Sequence, residues 1–220
     1  MNKIEDAFKN KKAFIPFVTA GDPSLDVTRE LILAMQEAGA DLIEIGIPFS
    51  DPVAEGPVIQ EADDRALSAG VTTDKIFDMV DGIADKIHVL IVFMTYINPI
   101  YVYGVEKFAK RAKACGAAGV IVPDVPFEEK EEIRGSFEAE GLVVISMVAP
   151  TSADRVRMIA KEAKGFLYCV SSLGVTGVRT EIGTAIGDLI QTVKEECSIP
   201  CAIGFGISTP EQAEAMAKIS

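Results

Sequence analysis

Short apolar runs alternate with amphipathic stretches along the chain, and this alternation limits the folds that the chain can adopt. The runs are rich in Val, Ile and Phe and almost continuously apolar. Such a composition is typical of strands that are covered on both faces in a parallel sheet. Seven runs predict strands: Ala13–Thr19, Asp41–Gly46, His88–Thr95, Gly119–Pro123, Leu142–Val148, Gly165–Ser171 and Pro200–Gly206.

The stretches between the runs have helical periodicity with clear ends. Val27 and Leu31 fall on one helical face, for example, and Gly39 follows as a stop signal. A short helix is expected near Ile4–Lys9, before the first strand. Strands that recur roughly every 20 to 45 residues with helices between them predict βα units, so the fold class is α/β. A doubly wound open sheet and a (β/α)8 barrel both contain such units, and periodicity does not choose between them.

The composition argues against several classes of partner and site. The 220 residues include 21 basic and 33 acidic ones, and the net charge of −12 disfavours a nucleic-acid or anionic membrane surface. Four cysteines without a CxxC pair and a single histidine make a zinc site or a disulfide scaffold a poor fit. The N-terminal segment lacks the apolar centre of a signal peptide, and the apolar runs are too short to cross a bilayer. We therefore expect a cytoplasmic protein without a bound metal.

Carboxylates cluster at the end of the second predicted strand and in the loop after it. Glu44 lies within an apolar strand, where burial would raise its pKa and make it a proton donor or acceptor near neutral pH. A buried glutamate paired with an Arg or Lys is the equally weighted alternative. Asp51 and Glu55 in the proline-rich loop could each supply a second carboxylate. From the residues alone, solvation of the loop and helix capping explain these two acids better.

Two glycine-containing loops follow later strands. The segment GVTG, residues 174–177, is compatible with a mobile lid, a phosphate-binding turn or an ordinary turn. The segment GFGIS, Gly204–Ser208, lies where barrel enzymes often bind phosphate, and it is not a dinucleotide-binding GxGxxG motif. His88 begins a strand at the end opposite to the expected site, and no predicted strand contains a lysine. Histidine-based catalysis and Schiff-base chemistry are therefore disfavoured.

Six segments together resemble the tryptophan synthase alpha subunit family and appear in the family's order. They are PFVTAGDPS (Pro16–Ser24), GADLIEIGIPFSDPVAEGPVIQ (Gly39–Gln60), MTYINPIYVYG (Met94–Gly104), GVIVPDVPFEE (Gly119–Glu129), SSLGVTGVR (Ser171–Arg179) and GFGIS (Gly204–Ser208). The resemblance implies a (β/α)8 TIM barrel and a carbon–carbon lyase. Its reaction would be retro-aldol cleavage of indole-3-glycerol phosphate to indole and glyceraldehyde 3-phosphate. It also implies no cofactor in this chain, and a beta subunit that uses pyridoxal phosphate in an alpha2beta2 assembly.

The resemblance also implies roles for individual residues. Glu44 and Glu55 stand at the two acid–base positions, with Glu55 in place of the family's more familiar aspartate. Thr176 matches a lid threonine that contacts the carboxylate of the second loop. Substrate-binding positions are Phe17, Tyr96, Tyr168, Thr176, Gly177, Gly204 and Gly206, and positions that face or communicate with the beta subunit are Asp51, Asn98 and Pro99.

The sequence predicts a single barrel domain over residues 1–220. An eighth strand–helix unit is absent from it, so we interpret the chain as a C-terminally incomplete alpha subunit. Two alternatives stay open: another phosphate-binding barrel enzyme, and a non-catalytic subunit that activates a beta partner. Other phosphate-binding barrel enzymes lack the EIGIPFSDP loop, which disfavours the first alternative. Measuring indole release with and without the beta subunit would test the second.

Overall fold

A computed structural model describes residues 3–170, 179–204 and 206–219 of the chain. Its strands are β1 (Phe17–Thr19), β2 (Leu42–Gly46), β3 (Leu90–Met94), β4 (Gly119–Ile121), β5 (Val143–Val148), β6 (Leu167–Val170) and β7 (Cys201–Gly204). Its helices are α1 (Lys3–Asp6), α2 (Leu25–Glu37), α3 (Pro57–Ser68), α4 (Thr73–Asp81), α5 (Ile97–Tyr103), α6 (Val105–Ala114), α7 (Glu131–Ala139), α8 (Ala153–Glu162), α9 (Arg179–Glu196) and α10 (Pro210–Ala217).

Each of the seven predicted runs contains a strand, but the strands are shorter than the runs. Pro16 shows one reason, since a proline has no N–H to donate to a ladder, and β1 begins only at the next residue. The sequence also predicts one helix after each strand, whereas α4 and α5 are additional. Thr72 caps α4 by accepting a hydrogen bond from the Lys75 N–H, and a threonine in this position is a local sequence signal for the start of a helix.

The chain divides into two compact units. The first unit is Ala13–Val144, and the second unit consists of the residues before Ala13 and after Val144. The prediction of one domain over the whole chain stays a prediction.

The sheet of the first unit is parallel, and its strands follow the order of the sequence. β1 pairs with β2, β2 with β3, and β3 with β4. Helices cover this sheet with apolar side chains, as in the edge-to-face contacts of Phe77 with Phe93 and Phe108, at ring-centroid distances of 5.2 and 5.1 Å. Both predicted features, parallel pairing and strands buried by helices, are therefore confirmed for this unit.

The second unit repeats the arrangement with its own strands. β5 pairs in parallel with β6, and β6 with β7, with Leu167 opposite Cys201. Buried side chains of α8 and α9 pack in this unit, among them Val156, Ile186 and Val193. Within the residues that the structure describes, no helix combines the length and the apolar character needed to span a membrane.

Candidate active site

Glu44 occupies the middle of β2 and is only 4% exposed. Its neighbours in register are Phe17 on β1 and Val92 on β3. Paired residues of parallel strands project their side chains to the same face, so the carboxyl group lies between two apolar side chains. This desolvation raises the pKa of Glu44 to about 8, because burial penalises the charged form. At neutral pH Glu44 is therefore mostly a carboxylic acid that can donate a proton.

Gly46 gives the ring of Phe17 room beside this carboxyl group. A Cβ atom on Gly46 would lie 2.5 Å from Cζ of Phe17, closer than real carbon atoms approach. The ring therefore lies across the end of β2, where it contributes to the apolar surroundings of the site. The space that the Phe17 ring needs explains why the EIGIPF segment has a glycine at position 46.

Glu55 lies in the loop between β2 and α3, and Tyr96 holds it there. The Tyr96 hydroxyl donates to Glu55 Oε1 at 3.2 Å and accepts the backbone N–H of Ala54 at 3.0 Å. Tyr96 itself is 2% exposed, and its ring packs against Phe49 with centroids 5.5 Å apart. Partial burial raises the pKa of Glu55, and the hydrogen bond from Tyr96 partly offsets that rise because it favours the carboxylate.

The residues predicted to face a partner lie on the surface of the first unit. Asp51 is exposed and accepts a hydrogen bond from the Ser50 hydroxyl at 2.6 Å. Asn98 is exposed and Pro99 is half-buried, and both belong to α5. The start of α5 is held by Asp124, which accepts the Ile97 N–H at 2.9 Å. The loop after β2 and the helix after β3 therefore both present these residues to solvent.

The second unit carries the remaining predicted positions. Tyr168 on β6 is 6% exposed, and its ring occupies the space that a side chain at Gly204 on β7 would need. Gly206 has a φ of +73°, a backbone conformation that favours glycine, and it is exposed. Thr176 and Gly177 lie outside the described residues.

Of the five buried polar or charged side chains in the described structure, the sequence predicted a role only for Glu44; the other four are Thr19, Thr28, Asp63 and Thr95. Asp63 on α3 is 5% exposed, and burial together with the nearby charge of Glu55 raises its pKa to about 7. Thr19, at the end of β1, is 5% exposed, and its hydroxyl has no hydrogen-bond partner in the described structure. Asp63 shares the buried face of α3 with Ala62 and Ala66, whereas the nearby acids Glu61 and Asp64 are exposed. This helical spacing was the sequence signal that could have identified Asp63 as a buried acid.

This arrangement can perform acid–base chemistry. It has one fully buried carboxyl group on a strand and a second, half-buried carboxyl group on a loop, and two carboxyl groups in different surroundings can divide the roles of acid and base between them. Among the described residues, no group of three or more His, Cys, Asp or Glu side chains could hold a metal ion.

The comparisons with known proteins agree with one another on the family. The family model described as "Tryptophan synthase alpha chain" matches residues 4–220. This chain belongs to the tryptophan synthase alpha chain family. The family consists of lyases that cleave indole-3-glycerol phosphate in tryptophan biosynthesis, so the activity that the resemblance implied is confirmed for the family. The alternative of a different phosphate-binding barrel family was wrong.

Curated relatives and solved structures support this membership across the chain. The tryptophan synthase alpha chain of Lacticaseibacillus casei is 47% identical, and the match covers 100% of this chain and 83% of that protein. The corresponding protein of Halalkalibacterium halodurans is 49% identical over 99% of this chain and 83% of its own length. The structure of the alpha subunit from Campylobacter jejuni has a TM-score of 0.90 at 31% identity, covering 100% of this chain and 88% of that one. These similarities confirm the predicted fold class, the (β/α) TIM barrel of tryptophan synthase alpha chains.

Proposed function

We propose that this chain cleaves indole-3-glycerol phosphate with Glu44 as the proton donor and Glu55 as the group that stabilises the indole nitrogen. The observation that carries the assignment is the burial of Glu44 between Phe17 and Val92, which keeps its carboxyl group protonated at neutral pH. An acid with a pKa near the working pH is the efficient form for proton transfer in both directions.

The proposed reaction begins at the indole ring. The Glu44 carboxylic acid protonates C3, and positive charge develops on the ring nitrogen. The Glu55 carboxylate accepts a hydrogen bond from the ring N–H and stabilises this charge, an electrostatic contribution that matters most in a partly desolvated site. Tyr96 supports this role because its hydroxyl holds Glu55 in position at 3.2 Å.

Cleavage of the carbon–carbon bond then returns Glu44 to its protonated state. The glycerol hydroxyl gives its proton to the Glu44 carboxylate as its carbon becomes an aldehyde. The electrons of the broken carbon–carbon bond return to the ring and neutralise the nitrogen. One proton has entered at C3 and one has left the hydroxyl, so Glu44 ends as the acid and the reaction requires no cofactor in this chain.

Substrate positions are proposed from the family resemblance. The resemblance assigns substrate contacts to Phe17 and Tyr96 of the first unit and to Tyr168 of the second unit. Backbone amides at Gly177, Gly204 and Gly206 would bind the phosphate, since amides in glycine turns favour anions. The resemblance assigns Thr176, which lies outside the described residues, a role beside the loop carboxylate.

The experiment is an assay of indole release from indole-3-glycerol phosphate by the purified chain. Glu44→Gln is the test variant, and Glu61→Gln, an exposed glutamate of α3, is the matched control. Release that depends on Glu44 and is unaffected at Glu61 would support the proposal. Near wild-type release by Glu44→Gln would overturn the assignment. If folded chain releases no indole even with a beta subunit, the alternative of a non-catalytic activating subunit is favoured.

The proposed partner is a tryptophan synthase beta subunit in an alpha2beta2 assembly, and we expect pyridoxal phosphate in that partner rather than in this chain. Support comes from apolar side chains exposed beside the predicted contact residues: Val53 in the loop after β2 is 78% exposed, and Val102 on α5 is 84% exposed. Both valines belong to the two segments that carry Asp51, Asn98 and Pro99.

A charged residue introduced into this surface should weaken binding of the beta subunit without acting on the catalytic carboxyl groups. We expect Val102→Asp to weaken binding of the beta subunit about ten-fold or more, because desolvating an unpaired carboxylate in an interface is costly. Leu31→Asp on α2 is the control, since Leu31 is also exposed but lies outside these segments. Binding is measured by titration calorimetry, and equal losses for the two variants would refute the assignment of this surface.

A further inference from the structure

We propose that Gln60 is a positioning residue for the reaction, because its side-chain amide holds the backbone of Glu55 at the start of α3. This inference rests on the proposed function, in which Glu55 stabilises the indole nitrogen. Gln60 would act without touching the substrate, by fixing the point from which the Glu55 side chain projects.

The first step of the argument is the hydrogen bond between the two residues. Gln60 Nε2 donates to the backbone oxygen of Glu55 at 2.8 Å, a normal distance for such a bond. The backbone N–H of Gln60 also donates to the backbone oxygen of Gly56, at 3.1 Å. One residue of α3 therefore binds two successive carbonyl groups, those of Glu55 and Gly56.

Gly56 does not fix this part of the chain by itself. It is the N-cap residue of α3, and without a side chain it makes no side-chain cap bond. A Cβ atom on Gly56 would meet nothing within 4 Å among the described residues, so packing does not confine the backbone there. Glycine also has the greatest conformational freedom of any residue. The Gln60 amide therefore supplies a restraint that the Glu55–Gly56 segment otherwise lacks.

Gln60 reaches Glu55 from a helix that is anchored elsewhere. Ala62 and Ala66 lie on the buried face of α3. On the same helix, the Arg65 guanidinium group donates two hydrogen bonds to the Asp22 carboxylate in the β1–α2 loop, at 2.8 and 2.9 Å. Such bidentate pairs fix direction as well as distance. The donor that holds Glu55 therefore has a stable base.

Tyr96 holds the other end of the same residue. Its hydroxyl donates to Glu55 Oε1 at 3.2 Å and accepts the Ala54 N–H at 3.0 Å. The carboxylate is thus held from the segment after β3, and the carbonyl group is held from α3. Loss of the Gln60 bond would let the Glu55 backbone turn and would weaken the bond to Tyr96. The carboxylate would then meet the indole nitrogen in a poorer position, and such misplacement lowers the rate of the chemical step.

The first test compares Gln60 with a glutamine that makes the same kind of bond elsewhere. Gln60→Met keeps the length of the side chain and removes the donor. We expect its kcat for indole release to fall about five-fold with little change in KM, as for the loss of one typical hydrogen bond. Gln36→Met is the matched control and should keep the wild-type rate, since Gln36 Nε2 donates to the backbone oxygen of Lys86 at 3.1 Å, away from Glu55. Equal rates for the two variants would overturn the proposal.

Two further substitutions at position 60 ask whether the donor is what matters. Gln60→Lys supplies a donor on a slightly longer side chain, and it should recover kcat to within about two-fold of the wild type. Gln60→Glu keeps the shape of the side chain, but an ionised carboxylate cannot donate, so this variant should be at least as slow as Gln60→Met. Gln60 is exposed, so all three variants should fold. If Gln60→Lys were as slow as Gln60→Met, or Gln60→Glu as fast as the wild type, the proposal would be wrong.

A measurement without turnover separates this inference from the proposed function. Carboxyl carbon NMR of the folded chain follows the titration of Glu55, assigned with Glu55→Gln. Because the Tyr96 hydrogen bond lowers the pKa of Glu55, a weaker hold in Gln60→Met should raise that pKa, and Gln36→Met should leave it unchanged. Asp63 and Tyr96, the titratable groups on which the Glu55 charge acts, are the same in both variants.

The two results distinguish the two proposals. A chain that releases no indole but shows the rise in the Glu55 pKa would refute the proposed function, while the hold of Gln60 on Glu55 stands. An active chain in which Gln60→Met leaves the Glu55 titration unchanged would refute the positioning role alone.

Discussion

Glu44 and Glu55 carry the same functional group in contrasting surroundings. Glu44 is fixed on a strand, 4% exposed, with Phe17 and Val92 beside it in register. Glu55 is half-buried on a loop, where its position depends on the Tyr96 hydroxyl. Burial raises the pKa of both, but only Glu55 has a hydrogen bond that works against the rise. The difference shows how a strand and a loop can give the same functional group two different environments, which is how paired carboxyl groups divide the roles of acid and base.

The largest expected effect is at the strand carboxyl group. We expect Glu44→Gln to lower kcat about 10³-fold or more, because general acid–base catalysis by one group contributes roughly 10² to 10⁴. Substrate binding should survive, since the amide is nearly the same size. Indole-release kinetics and equilibrium binding of the substrate to the variant measure the two quantities. A variant that loses binding in proportion to rate would mean that Glu44 acts mainly in binding.

The loop carboxylate should show a smaller and more adaptable effect. Glu55→Gln removes the charge, and we expect kcat to fall about 10²-fold, within the range seen when one electrostatic stabiliser is lost. Glu55→Asp keeps the charge and shortens the side chain by one methylene, so it should recover part of this rate if the loop can adjust. Single-turnover rates of the two variants measure this. Equal losses would show that the reach of the side chain matters as much as its charge.

The sequence predicted the strands well because apolar runs of β-branched residues have few alternatives in an α/β chain. It also placed Glu44 correctly within a buried strand. Helices α4 and α5 were not predicted, because a simple alternation of strands and helices predicts one helix for each strand. The sequence could not decide between a catalytic Glu44 and the alternative of a Glu44 paired with an Arg or Lys; in the structure, desolvation is the cause of its raised pKa.

The features of the site that could not be predicted are contacts between residues far apart in the sequence. Tyr96 was assigned to the substrate cavity from the resemblance, but its hydrogen bonds to Ala54 and Glu55 join segments about forty positions apart. Asp63 carries no motif, and its neighbours on α3 are also acidic. Only its burial distinguishes Asp63 from Glu61 and Asp64, the exposed acids near it on the same helix.

The pH dependence should separate the two carboxyl groups. Glu44 must be protonated to donate, and its pKa is raised to about 8, so its acid form is present below that pH and lost above it. We therefore expect kcat to fall about ten-fold for each pH unit above about 8. The acidic limb should report Glu55, which must be ionised. Steady-state rates from pH 5 to 10, with stability of the folded chain checked at both ends, measure both limbs. A flat profile above pH 8 would contradict proton donation by Glu44.

Tyr96→Phe gives the smallest effect and the sharpest comparison, because it should act on one carboxyl group only. The Tyr96 hydroxyl lowers the pKa of Glu55, so its removal should move the acidic limb to higher pH. The alkaline limb belongs to Glu44, whose neighbours in register are Phe17 and Val92, and it should stay in place. We expect kcat at the optimum to fall about three- to ten-fold, as for the loss of one typical intramolecular hydrogen bond of about 1 kcal/mol. Tyr101→Phe, an exposed tyrosine of α5, is the control for the loss of a hydroxyl. If both limbs move together in Tyr96→Phe, the two carboxyl groups titrate as one coupled system, and the division between a strand acid and a loop carboxylate would have to be abandoned.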